Sequence, residues 1–244
     1  MNLFSSRRSS SDSSAGTVIT TSTKNDTSPD LELRVGFKTT DFRDATIVPI
    51  LLEPDITLDE EVNASLVIEK HSGSLGTICF VARRAGCALC REEAFDLSLA
   101  INDGMLEGFG VFAVVKEVGV DDEGLKELGS KYFDFALYLD EPKFFYDALG
   151  GHIIQLPYNP TKWFQLYSKL KKVSKRLKKK GIEGNYKGEA WLKGGIILFD
   201  KHGNQRYAYL EETGNEIPIS GLVTAAENLR NEETVKQEKI RPFS

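Results

Sequence analysis

Apolar runs of strand length alternate with amphipathic stretches along most of this chain. Residues 47–52 form a short apolar strand that Pro54 stops. Thr57-Leu58-Asp59-Glu60 places Glu three residues after Thr, the capping-box pattern. It predicts a helix to about His71, with Leu58, Val62, Leu66 and Val67 facing inward and Ser72-Gly73-Ser74 ending it. Thr77-Ile78-Cys79-Phe80-Val81-Ala82 reads as a buried strand, and an amphipathic helix follows over about 87–102. Further strands are expected at 109–118 and 135–139, a short helix at 121–131, and a helical turn at 143–149 closed by Gly150-Gly151. Residues 194–200 and 206–210 flank the turn Lys201-His202-Gly203-Asn204 as a β-hairpin. Pro218 opens a last helix to about Arg230.

Strand–helix–strand, then a hairpin, then a helix predicts an α/β domain over residues 30–230. The expected architecture is thioredoxin-like, a three-layer α/β/α arrangement with a mixed central sheet. Residues 1–29 are a Ser/Thr-rich tract with few large apolar side chains, for which disorder is expected. Arg7, Arg8 and the scarcity of acids there also fit an organelle transit peptide; a solvated tail on a cytoplasmic protein is the plainer expectation. Residues 231–244 read as a charged C-terminal tail.

Composition narrows the function classes. No stretch approaches the roughly 20 apolar residues of a membrane span. Three cysteines are too few for a secreted disulfide scaffold, so a reducing compartment is expected. A formal net charge of −5 gives no general nucleic-acid signal, and none is expected as a partner.

The chemistry concentrates at Cys87-Ala88-Leu89-Cys90, two thiols at a strand-to-helix turn. The thiolate is the nucleophile, and unpaired N–H groups at a helix start stabilise it. Cys87 is therefore the expected attacking thiol, with Arg84 and Arg91 as its stabilising cations and Arg83 directed elsewhere. Glu92 and Glu93 oppose it if they approach the sulfur. Cys90, nearly one turn on and beside the inward Ala94 and Leu97, is the expected resolving partner. Cys79, inside a strand, reads as an inert core thiol. Zinc would need further ligands; there is no second cysteine pair, and His71, His152 and His202 are scattered, so no metal is expected. A packing role for both cysteines is the remaining alternative.

The run Arg83-Arg84-Ala85-Gly86-Cys87-Ala88-Leu89-Cys90-Arg91-Glu92-Glu93-Ala94, continuing to Asp96-Leu97-Ser98, resembles the peroxiredoxin-like 2 family. This is part of the wider AhpC/TSA antioxidant group of thioredoxin-fold proteins. Ala113-Val114-Val115-Lys116-Glu117, Leu139-Asp140-Glu141 with Lys143-Phe144-Phe145-Tyr146, Gly184-Asn185-Tyr186-Lys187-Gly188-Glu189 and Gly194-Gly195 extend the likeness, which spans residues 57–230. It is nearest the redox-regulatory A-type branch, with the prostamide/prostaglandin F synthase branch as a relative. The resemblance implies a thiol oxidoreductase acting on a small peroxide or disulfide, or on a prostaglandin endoperoxide. It implies no bound cofactor and an external reductant of the thioredoxin or glutathione type, supplied by NADPH. A redox-sensing binding module is the non-enzymatic alternative. Peroxiredoxins proper carry Pro, Thr and Arg where this chain has Phe80, Arg84 and Gly194. Their peroxide-polarising groups are absent as written, and slow reaction with hydrogen peroxide follows.

Asn159-Pro160 predicts a helix start. From there Trp163, Leu166, Tyr167, Leu170, Val173 and Leu177 recur at helical spacing, and eight of the twelve residues 169–180 are Lys or Arg. Either this apolar seam packs on the sheet with the lysines solvated, or the helix contacts an anionic membrane or an acidic partner.

Overall fold

The hydrophobic alternation resolves into one twisted sheet clothed on both faces. In the computed structural model, residues 39–154 and 159–240 are described. The expectations for residues 1–29 and the end of the C-terminal tail, 241–244, fall outside them. After a 3-10 turn at Thr39–Phe42 come β1 (Thr46–Leu51), β2 (Thr57–Leu58), β3 (Val62–Asn63), α1 (Ala64–Lys70), β4 (Gly76–Val81) and α2 (Ala88–Asn102). Next are β5 (Phe109–Val115), α3 (Asp122–Glu127) continuing into a π-helical turn at Leu128–Tyr132, β6 (Ala136–Leu139) and α4 (Phe144–Ala148). Finally come α5 (Pro160–Lys180), β7 (Gly195–Asp200), β8 (Gln205–Leu210) and α6 (Ile219–Ile240).

The strand order is β2-β1-β6-β5-β4-β7-β8, with β3 also pairing to β1. β4 lies parallel to β5, and β5 to β6, while β7 and β8 add antiparallel beyond β4. A parallel βαβ unit extended by an antiparallel hairpin and a closing helix is the thioredoxin-like topology, and the sheet is mixed as expected. β4 is central and buried along its whole length. One face of the sheet packs Ile78, Phe80, Val111, Ala113 and Leu198 against Ala94 and Leu97 of α2 and Leu222 and Ala226 of α6. The other packs Cys79, Val81, Phe112, Val114 and Phe199 against Val67 and Ile68 of α1 and Phe145 and Tyr146 of α4.

Three expectations are corrected. The capping box does not start α1: Thr57 and Leu58 pair with Leu51 and Ile50, and the cap is Asn63, whose side chain accepts from Ser65 N at 2.9 Å. Leu58 and Leu66 are consequently exposed, and Ala64, Val67 and Ile68 form the inner face. The seam of α5 turns inward only in its second half, where Val173 is buried and Leu177 half-buried; Trp163, Phe164, Tyr167 and Leu170 face solvent. α5 is held to α2 by Arg176 on Glu92 (2.7 Å) and Lys180 on Asp96 (2.8 Å). The last helix passes Arg230 and runs to Ile240, so most of the expected charged tail is helical. Arg206 with Glu232 at 2.5 Å, and Lys201 with Glu233, tie that extension to the hairpin.

Candidate redox site

β4 delivers the chain to the site. After Val81, residues 82–87 turn at the C-terminal edge of the sheet, and Cys87 becomes the N-cap of α2 in extended conformation (φ −73°, ψ 121°). No side chain caps this helix, so its first N–H groups and positive dipole end lie open to the Cys87 sulfur. Cys90 lies one turn inward, fully buried, and Cys87 is 4% exposed. Both thiols are free.

Arg83 is the cation at the sulfur. Its Nη2 donates to Cys87 Sγ at 2.8 Å, and its Nη1 pairs with Glu211 Oε1 at 3.2 Å, all three groups buried. This corrects the assignment of Arg84 and Arg91. Arg84 donates to the Lys187 carbonyl at 3.4 Å and stacks over the Tyr186 ring. Arg91 donates to the carbonyls of Ala85 (3.1 Å) and Glu183 (2.8 Å) and pairs with Glu127 at 2.6 Å. Both hold the strap of residues 183–189, Glu183 and the Gly-Asn-Tyr-Lys-Gly-Glu stretch after it, against the start of α2. Asn185 N donates to Gly86 O at 2.7 Å, and Lys116 fixes Glu189 at 2.5 Å. The strap lies so close that a Cβ on Gly184 would sit 2.5 Å from Ala88 N.

These neighbours set the thiol chemistry. A hydrogen bond from the Cys90 thiol, with the Arg83 charge and its hydrogen bond, holds the Cys87 thiol well below its usual range against the opposing effect of burial. Cys90 is pushed well up, by that same hydrogen bond to Cys87 and by burial. Cys79 is buried in the opposite core and likewise raised by burial. The arrangement favours the thiolate form at Cys87 and the thiol form at Cys90. The departures from peroxiredoxins proper also have a geometric side. A Cβ on Gly194 would meet Val81 O at 2.1 Å, so an arginine does not fit there as the backbone stands.

Sequence reasoning set Arg83 aside and missed Glu211. A turn outside regular structure gives no period from which to read the direction of adjacent side chains. Glu211 follows the β7–β8 hairpin, and no local motif announces that it meets Arg83 across the sheet.

A family profile described as AhpC/TSA antioxidant enzyme matches residues 98–213, a span that begins beyond Cys90. A prostamide/prostaglandin F synthase of Bos taurus is 35% identical over 60% of this chain and 73% of its own length. Peroxiredoxin-like 2A of Homo sapiens is 29% identical over 67% of this chain and 68% of its own. The chain belongs to the peroxiredoxin-like family. Among solved structures, AhpC of Enterococcus faecalis is 10% identical, with a TM-score of 0.47, covering 81% of this chain and 93% of that one. In this peroxiredoxin-like chain, Cys90, Glu93 and Glu211 bring a sulfur and two carboxylate oxygens within 4.8 Å of one another, and Glu92, Asp96 and Glu216 form a second such group. Arg83 faces the first, and Arg176 and Lys180 neutralise the second. Among the described residues no helix is long and apolar enough to cross a membrane.

Proposed function

We propose that this chain is a thiol-dependent oxidoreductase in which Cys87 attacks and Cys90 resolves. The observation that carries the reading is the buried Arg83 guanidinium on Cys87 Sγ at the uncapped start of α2, with Cys90 one turn away. The Cys87 thiolate attacks one atom of an S–S or O–O bond. That bond breaks, and the leaving group departs with a proton. Cys90 then attacks Cys87, or displaces the group bound to it, and the Cys87–Cys90 disulfide forms with loss of the second leaving group. Two electrons have passed to the substrate, and an external dithiol of the thioredoxin or glutathione type returns them.

The 35% identical relative named prostamide/prostaglandin F synthase favours a cyclic endoperoxide as one substrate, whose O–O cleavage by the same steps yields two hydroxyls. The test is NADPH consumption by thioredoxin and thioredoxin reductase with this protein. Hydrogen peroxide, an alkyl hydroperoxide, a low-molecular-weight disulfide and a prostaglandin endoperoxide are offered in turn. Catalytic turnover with at least one, lost in Cys87→Ser, is expected. A single stoichiometric reduction with all of them would make the pair a sensor instead.

A further inference from the structure

The redox centre contains more acids than cations. Cys87, Cys90, Glu93 and Glu211 are buried together. Arg83 faces them from the turn before α2, and its two Nη atoms are committed to Glu211 and to Cys87. Glu93 follows Cys90 by three positions, so the two lie on one face of α2. Its carboxylate makes no ion pair among the described residues, and Arg83 acts on it only at a distance. The other groups around it do not compensate. Glu92 on the same helix gives its charge to Arg176 and Lys180. Tyr209 of β8 is a half-buried phenol, and Lys193 ahead of β7 acts on Glu211. Burial, Glu211 and the Cys87 charge all favour the neutral acid at Glu93.

Arg83 is the one cation facing Cys87, Glu211 and Glu93; burial raises Glu211 too, but its ion pair with Arg83 opposes that rise, so the charge of Cys87 and the charge of Glu93 compete. We infer that Glu93 stores a proton while Cys87 is a thiolate and surrenders it when Cys87 enters a covalent bond, so that one negative charge passes from sulfur to carboxylate in each turnover. This rests on the oxidoreductase reading. The step balances. Cys87 thiolate, Cys90 thiol, Glu93 carboxylic acid and a disulfide RSSR become the Cys87–Cys90 disulfide, Glu93 carboxylate and two RSH. The substrate S–S bond breaks, the Cys87–Cys90 bond forms, and two electrons pass to the substrate. The two protons come from Cys90 and Glu93, and the net charge of the buried centre does not change. With a hydroperoxide ROOH the O–O bond breaks and the same two protons leave as part of ROH and water.

The test is the pH dependence of the dithiol/disulfide equilibrium around neutral pH, measured against thiol–disulfide redox buffers. With Glu93 present, two protons accompany two electrons, so the protein's potential, read from the buffer's own potential at each pH, falls by about 59 mV per pH unit, about a hundredfold in the half-reaction constant. In Glu93→Gln one proton remains, so the slope falls to about 30 mV, about tenfold. Glu211→Gln keeps the slope of about 59 mV. An unchanged slope in Glu93→Gln, or halving in Glu211→Gln instead, overturns the assignment. If Glu93→Gln does not fold, infrared difference spectra of the unaltered protein decide. Oxidation should remove a carboxylic-acid carbonyl band and add a carboxylate band, and their absence refutes the proton store. Failure of Cys87 and Cys90 to form a disulfide in any buffer would instead overturn the oxidoreductase reading, and this inference with it.

Discussion

The two faces of the one sheet differ in what they bury beside their apolar cores. The face against α1 and α4 is aromatic and close-packed: Phe42 stacks on Phe145 with ring centroids 4.8 Å apart, and Phe112 meets Phe145 and Tyr138 edge-on. The face against α2 and α6 buries Arg83, Arg91, Glu92, Glu93 and Glu211 beside the thiols. Buried charges contribute little net stability even when paired, whereas buried aromatic rings contribute a great deal. Both faces carry an apolar core, but only the one against α2 and α6 adds this buried ionic cluster, at a cost in stability. Cys79 and Cys87 make the same contrast within eight residues: one is an ordinary core thiol on the aromatic face, the other an ionisable group on the reactive face.

The largest expected effect tests the aromatic face. Phe145→Ala should cost about 3–5 kcal/mol of unfolding free energy in denaturant titration, with the alkylation rate of the folded fraction unchanged. A loss below about 1 kcal/mol would show that this core is not what supports the reactive face. Next is Asp140, at the edge of the aromatic face, whose carboxyl accepts from Phe144 N and Phe145 N at 3.0 and 2.9 Å. Burial raises it to about 6. Its folded value lies above its unfolded one, so the native state binds a proton that the unfolded chain does not. Stability should therefore rise as pH falls from about 6 towards 3.8, by roughly 3 kcal/mol for this group. Urea midpoints across that window should show the rise in the parent and a smaller one in Asp140→Asn; identical profiles would contradict the account.

Two smaller effects refine the reactive face and its surroundings. Arg176→Ala removes one of the two cations on the buried Glu92, and Lys180 stays at 3.0 Å. A loss of about 1–2 kcal/mol is expected, with α5 loosened from α2. A cost as large as that of Phe145→Ala would mean that Lys180 alone does not compensate the buried Glu92 charge. Leu66→Ser should lie within about 0.5 kcal/mol of the parent, as an exposed site does. A core-sized loss would restore the inner face that the capping box implied.

What could be read from the chain divides along the same line. β4, α2 and the Asn159 cap of α5 were legible because each rests on local signals: an apolar run, a helical period, an N-cap before proline. The start of α1 was not, because the capping box at Thr57 is overridden by strand pairing with β1, a contact that the local pattern does not contain. The extension of α6 to Ile240 reads as a solvated tail until its glutamates find Lys201 and Arg206 on the hairpin. At the site, the placement of Cys87 at the start of α2 and Cys90 one turn inward followed from helix position. The choice of Arg83 over Arg84 and Arg91 did not, since it depends on how residues 82–87 turn. Glu93 stood in view as the residue one turn beyond Cys90. Its importance appears only once Glu211 and Arg83 are placed beside it.

The most direct test of the central claim is the pH profile of Cys87 alkylation by limiting iodoacetamide, with peptide mapping to assign the site. At pH 7 Cys87 should be labelled before Cys90 and Cys79. The rate midpoint should lie below the ordinary thiol value of about 8.5 and move up by about one unit or more in Arg83→Gln as the charge-assisted hydrogen bond is lost. Preferential labelling of Cys90 or Cys79, or a Cys87 midpoint unaffected by Arg83→Gln, would contradict it.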